Sequence, residues 1–126
     1  MKSKKVGLAR LWAAAGYSLK GFRAAWHFEE SFRLEVYVAL LSLPCAYYLA
    51  SSATQLALLI LTVGLVMVAE LANSAIEAVV DRTGEEFHPL SGRAKDIGSA
   101  MVVMTIVIAM LVWVLVALDR FGAIFY

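Results

Sequence analysis

The run from Ile97 to Leu118 is 22 residues long and carries no charged residue. As a helix it measures about 33 Å, enough to cross the ~30 Å hydrocarbon core of a bilayer. Burying such a helix in a soluble protein needs a large surrounding core, and 126 residues make only one small domain. Hydrophobic residues are 62% of the chain and mean hydropathy is +0.78, whereas soluble domains hold about 45–50% apolar residues. The expected fold class is therefore an all-α membrane protein. A net charge of +1 gives no reason to expect a nucleic-acid partner.

Two more spans are legible. The first covers about 33–50, with its apolar part from Val36 to Ala50. Those fifteen residues reach only ~22 Å, so Phe32 to Glu35 are expected to extend the helix into the interface. Pro44 predicts a modest kink. Ser51, Ser52 and Thr54 form a short polar turn into a second, antiparallel span over about 55–80. The polar stretch from Asp81 to Asp96, with Gly84, Pro89 and Gly92, reads as a loop before the third span at 97–118. Cys45 reads as a small buried hydrophobe, and Met101, Met104 and Met110 as span core without metal chemistry.

Ahead of the spans, Leu8, Leu11, Trp12, Ala15, Leu19, Phe22 and Trp26 recur at helical spacing. Lys5, Arg10, Lys20 and Arg23 fall largely on other faces, which predicts an amphipathic helix over about 6–30 lying on a membrane surface. No apolar stretch follows Lys2, Lys4 and Lys5 closely enough for a cleavable signal peptide. Of the eleven basic residues, Lys2, Lys4, Lys5, Arg10, Lys20, Arg23, Arg33, Arg82, Arg93 and Lys95 lie on one side of the spans and only Arg120 on the other. The positive-inside rule then puts the N-terminus and the 81–96 loop in the cytoplasm.

The second span carries the chemistry. Glu70, Asn73, Ser74, Glu77 and Asp81 fall on one helical face, and Ala72, Ala75, Ile76, Ala78 and Val79 leave the rest small or apolar. A carboxylate at the depth of Glu70 costs several kcal/mol unless it is paired, protonated or wetted. Such a stripe must face a polar cleft. One chain has few helices to line it, so a homo-oligomer is a natural way to complete it. Glu70 and Glu77 stand about 10 Å apart along the axis, too far to share one metal or proton. Distinct roles suit them better: a deep base, and a shallower ligand for a hard cation beside Glu29 and Glu30. Arg82, Arg93 and Lys95, near the flexible glycines Gly92 and Gly98, form a set suited to phosphate. No Walker A or GxGxxG pattern is present.

The run Glu70-Leu-Ala-Asn73-Ser74-Ala-Ile-Glu77-Ala-Val-Val-Asp81-Arg82, followed by Gly92-Arg93-Ala-Lys95-Asp96-Ile-Gly98-Ser99-Ala100, resembles the prokaryotic integral-membrane diacylglycerol kinases. Ala14-Ala15-Gly16-Tyr17-Ser18 and Arg23-Ala24-Ala25-Trp26 extend the resemblance, which runs from about Leu8 to Trp113. It implies a homotrimer in the bacterial inner membrane that moves the γ-phosphate of ATP, with Mg²⁺, to the hydroxyl of diacylglycerol. By the same resemblance Glu70 is the general base, Glu29 and Glu77 hold the cation, and Lys95 steadies the phosphates. Arg10, Tyr17, Glu86, Phe87, His88 and Asp96 join them at the nucleotide. The lipid side is implied to include Arg10, Ala14, Ser18, Arg23, Trp26, Ser31, Glu35, Ser99 and Trp113.

Leu19 stands where the family can have tryptophan and Phe87 where it can have tyrosine, both beside substrate positions rather than among the carboxylates. Undecaprenol, the acceptor of a sister branch, is the competing substrate. Two readings from other classes are a small proton or ion transporter using Glu70 and Glu77, and an assembly subunit without turnover. Against transport, Gln55 to Ala69 offers only Thr62 as a polar step.

Overall fold

The computed structural model describes residues 6–84 and 86–124 and consists of four helices. These are α1 (Leu8–Phe28), α2 (Glu30–Leu49), α3 (Ala53–Arg82) and α4 (Pro89–Arg120). Lys2, Lys4 and Lys5, which contribute to the charge asymmetry, lie outside the described residues.

The break between α1 and α2 is one residue wide. Glu29 adopts an extended conformation at φ −114° and ψ 102° and serves as C-cap of one helix and N-cap of the next. Arg33 Nη1 reaches back over the break, donating to the carbonyls of Trp26 at 2.6 Å and His27 at 3.1 Å. A cation on the last carbonyls of a helix satisfies otherwise orphaned acceptors and complements the helix dipole. α2 then continues through Pro44 without ending. Ser52 caps α3 by accepting the Gln55 N–H at 3.1 Å, while Gln55 Oε1 accepts the Ser51 N–H at 2.8 Å, a variant of the reciprocal capping box.

The fourth helix begins earlier than its apolar run. Pro89 at the first turn and His88 as N-cap start it eight residues before Ile97, so Arg93, Lys95 and Asp96 ride on a helix rather than in a loop. Between Arg82 and Pro89, the described residues 83, 84 and 86–88 are non-helical.

α3 and α4 make the most extensive packing in the chain, with α2 against α3 next. A small apolar core of Ala46, Leu59 and Val116 sits toward the turn between α2 and α3, joined by Leu49, Leu56, Val112 and Trp113. Elsewhere the large apolar side chains point outward, Leu41 being 71% and Met104 66% exposed. Each such side chain left in water forgoes about 1.5–3 kcal/mol, a loss no 126-residue domain survives many times over. α2, α3 and α4 are each long and apolar enough to cross a membrane, and lipid is the environment that satisfies their outer faces. The same inversion corrects the reading of Cys45, Met104 and Met110 as buried: all three lie on the outer surface of the chain.

Candidate active site

The inner half of α3 holds what a lipid-facing helix does not. Glu70 and Asn73 are buried, at 9% and 8% exposure, and are two of the three buried polar residues among those described. Ser74 and Glu77 are half-buried below them, and Asp81 is exposed at the helix end. The stripe thus grades from a deep carboxyl to an open one, with Ala69, Ala72, Ala75 and Ala78 keeping the flanks thin enough for neighbours to approach.

Glu70 meets Glu35. The two carboxyl groups are close neighbours, and Glu35 Oε2 is buried with no hydrogen-bond partner. The sequence placed Glu35 in an interfacial extension of the first span; in the fold it sits on α2, which begins at Glu30 and packs against α3, and Glu35 Oε2 is buried.

One turn further along α3, Asn73 Nδ2 donates to Glu77 Oε1 at 3.3 Å. On the α1 side lies a cavity of ≈ 570 Å³ walled by Ser18, Ala25 and Glu29 from the N-terminal segment and by Ser74 and Ala78 from α3. Glu29 therefore faces the stretch of α3 that carries Glu77. Among the described residues no three acidic, imidazole or thiol side chains converge into a metal cage. Glu29 lines the cavity and Glu77 lies on the adjoining stretch of α3, and two such hard oxygen donors suit a divalent cation that completes its shell with phosphate oxygens and water.

The residues between α3 and α4 form a second cleft of ≈ 560 Å³, lined by Asp81, Glu86, Phe87, His88 and Lys95 around Gly84, whose φ of 118° calls for glycine. Lys95 Nζ pairs with Asp81 Oδ1 at 2.6 Å across the top of α3 and α4. His88 Nδ1 accepts the Leu90 N–H at 3.1 Å, so this histidine caps α4 as well as lining the cleft. Phe87 is 91% exposed.

Not every residue expected at the site gathers there. Asp96 is exposed on α4 and does not line the cleft. Arg10, Ala14, Tyr17 and Arg23 are exposed along α1, with Lys20 5.9 Å over the Tyr17 ring. Trp26 stacks edge-on against Tyr37 at 5.8 Å, and Ser31 and Ser99 are exposed. Trp113 packs into the apolar core with Leu49 and Leu56, at the opposite end of the bundle from the stripe.

Two residues matter that the sequence pattern underrates. Arg33, counted there only as a basic charge, fixes the α1–α2 break that sets Glu29 in place. Gly98, at the start of the third span and grouped in the sequence with the flexible glycines beside the basic residues, is a buried helical glycine, and a Cβ built on it would fall on Asn73 Oδ1. A lone glycine inside a span, opposite an asparagine on the preceding span, is the signal that points to such a contact.

The sequence profile of the prokaryotic diacylglycerol kinases matches residues 16–117. The diacylglycerol kinase of Escherichia coli K12 is 49% identical over 122 residues, covering 97% of this chain and all of that protein. Those of Haemophilus influenzae and Pseudomonas aeruginosa are 44% and 42% identical, over 87% and 90% of this chain and 93% of each relative. With the profile covering α2, α3 with its carboxylate stripe and nearly all of α4, the chain belongs to the prokaryotic diacylglycerol kinase family.

Proposed function

We propose that the protein is a lipid kinase that transfers the γ-phosphate of ATP to the hydroxyl of diacylglycerol, giving phosphatidic acid. The observation that carries the reading is the buried Glu70 carboxyl, set within a helix long and apolar enough to cross a membrane and on the same face as Glu77. A hydroxyl at the boundary between acyl chains and glycerol meets its base there, while the phosphate donor arrives from the cytoplasmic edge where Lys95 and Asp81 stand.

Glu70 accepts the proton of the lipid hydroxyl as that oxygen bonds to the γ-phosphorus. The bond from phosphorus to the bridging oxygen of ADP breaks, ADP leaves with that oxygen, and the proton on Glu70 returns to water. Glu29 and Glu77 would hold Mg²⁺, which would neutralise phosphate charge when bound. Lys95 exchanges its Asp81 partner for phosphate oxygens, and the cleft of Glu86, Phe87 and His88 receives the rest of the nucleotide. Arg10, Tyr17 and Asp96 contribute at its margin; Arg23, Trp26, Ser31, Glu35 and Ser99 border the lipid. Phosphoryl transfer demands mainly positioning and charge neutralisation, which a small helical site can supply.

The same reading lays α1 on the cytoplasmic surface of the bacterial inner membrane. Leu8, Leu11 and Trp12 are 83%, 66% and 85% exposed and need an apolar environment that the chain itself does not provide. The cavity beside α1 is open on the single chain, and further copies in a homotrimer are the proposed way to close it. Transport fits less well: Thr62, the polar residue between Gln55 and Ala69, spends its hydroxyl on the Leu59 carbonyl of its own helix at 2.9 Å.

The test is incubation of the purified protein in mixed micelles with γ-labelled ATP and Mg²⁺, adding diacylglycerol or undecaprenol separately. Label is expected in phosphatidic acid. Label in the polyprenol alone would move the protein to the sister activity, and label in neither lipid would overturn the kinase reading.

A further inference from the structure

We propose that Gly98 is a positioning residue for the cation site: its bare Cα fixes which end of the Asn73 amide faces Glu77. The inference rests on the reading of Glu77 as a cation ligand and asks what holds that carboxylate in a usable orientation.

An asparagine side chain has two chemically opposite ends of nearly equal shape. Turned one way, the Asn73 NH₂ donates to Glu77 Oε1, as the 3.3 Å contact shows. Turned by 180°, its carbonyl oxygen would face a carboxylate, two acceptors with no proton between them. The 8% exposure of Asn73 leaves little room for water to mediate either choice.

The other end of the amide decides the matter. Asn73 Oδ1 is buried and takes no conventional hydrogen bond. Its neighbour is Gly98 on α4, and a Cβ placed there would collide with Oδ1 and press on Asn73 Cγ. A buried amide oxygen without a donor ordinarily costs about 1–3 kcal/mol, so a reason for keeping it is needed. Glycine supplies one: its Cα–H groups are weak donors that suit an oxygen, whereas an NH₂ turned toward them would set donor against donor. Both neighbours therefore select the same amide orientation. With Oε1 engaged by Asn73, Glu77 is left to offer Oε2 to the cation.

The contact also explains a glycine where helix propensity disfavours one, since Gly in a helix interior costs roughly 1 kcal/mol against Ala. Gly92, six residues earlier on α4, has nothing within 4 Å of an added Cβ. The constraint belongs to position 98, where α4 presses on the stripe.

The experiment compares wild type, Gly98→Ala, Asn73→Ala and the double variant as full-length protein in mixed micelles. Mn²⁺ binding is followed by loss of the free-ion EPR signal with ADP present, and Mg²⁺ dependence by lipid phosphorylation at fixed ATP. Gly98→Ala is expected to raise the Mn²⁺ dissociation constant and the half-saturating Mg²⁺ concentration about five- to tenfold, with rates at saturating Mg²⁺ falling less. Asn73→Ala should show the same weakening, and the double variant should be no worse than either single one. If Gly98 only fills space, Asn73→Ala vacates the collision and the double variant returns to wild-type cation dependence, which overturns the proposal. Wild-type Mn²⁺ affinity in a folded Gly98→Ala protein overturns it as well. Should Gly98→Ala not fold, Asn73→Ala adds no bulk and carries the test: wild-type affinity there is the overturning result. Glu77→Gln separates the two levels, because unchanged Mn²⁺ binding in that variant would remove the cation ligand itself rather than its positioning.

Discussion

Gln55 Nε2 donates to Asp119 Oδ2 at 2.7 Å, joining the first turn of α3 to the last turn of α4 at the end of the bundle away from the carboxylate stripe. The same glutamine caps the start of α3 through its Oε1, so one side chain closes both a turn and a helix pair. A hydrogen bond to a charged acceptor is worth about 1.5–3 kcal/mol, and this one is partly shielded.

Gln55→Ala is therefore expected to destabilise the protein by about 2 kcal/mol while leaving turnover intact. Glu70 lies fifteen residues further along the helix, about 22 Å away by helical rise. Thermal inactivation in micelles should accelerate, and initial rates at a permissive temperature should match wild type. Reduced initial rates with unchanged stability would contradict the assignment of Gln55 as a purely structural clasp.

His88 has two possible uses that its sequence position does not separate, nucleotide contact and loop solvation, and the structure adds a third by showing its Nδ1 on the Leu90 N–H. Removing a helix N-cap costs about 0.5–2 kcal/mol. His88→Asn keeps an acceptor suited to capping, whereas His88→Ala removes it. If capping dominates, the asparagine variant retains wild-type stability and KM for ATP, and the alanine variant loses stability alone. A rise in KM for ATP in both variants would show that the imidazole itself touches nucleotide.

Much of this architecture was legible because membrane spans announce themselves by length and missing charge. Ile97–Leu118 and the stripe from Glu70 to Asp81 needed no tertiary information, since one hydrocarbon thickness and one helical period define them. The boundaries around the connection between α3 and α4 were harder. Arg93, Lys95 and Asp96 look like loop by polarity, but polarity on a helix outside the bilayer costs nothing, and Pro89 at the first turn marks the true start. Burial was the least legible property. In a chain whose outer faces meet lipid, apolarity does not separate Met104 on the surface from Leu59, which is 0% exposed, and Glu35 reads as interfacial until α2 is docked. The Gly98–Asn73 contact joins two spans in three dimensions, so the spacing within either helix could not reveal it.

Lys95 and Asp81 form an exposed ion pair whose geometry is short but whose surroundings are open. Exposed pairs contribute little to stability and weaken in salt. Asp81→Asn should accordingly leave thermal inactivation close to wild type. Lys95→Met, by contrast, removes the cation proposed to meet phosphate and is expected to lower kcat/KM for ATP at least a hundredfold. Equal, small losses in the two variants would indicate that Lys95 serves α3–α4 docking rather than phosphate.

The decisive substitution is Glu70→Gln, which preserves the shape of the buried side chain and removes its capacity to accept a proton. General-base removal is expected to cost on the order of 10²–10⁴ in rate. Stability should not follow activity down. Glu70 shares its buried position with the Glu35 carboxyl, and an amide in its place can donate to the partnerless Glu35 Oε2 or to its neighbour oxygen. The expected result is a protein with wild-type helix content, equal or higher thermal stability, undiminished Mn²⁺ binding and phosphate transfer reduced by at least a hundredfold. Glu35→Gln serves as the comparison, since it leaves the base in place and should lower the rate far less. Transfer at the wild-type rate in Glu70→Gln would mean that the lipid hydroxyl loses its proton elsewhere, and the depth of Glu70 in the membrane would then need another explanation.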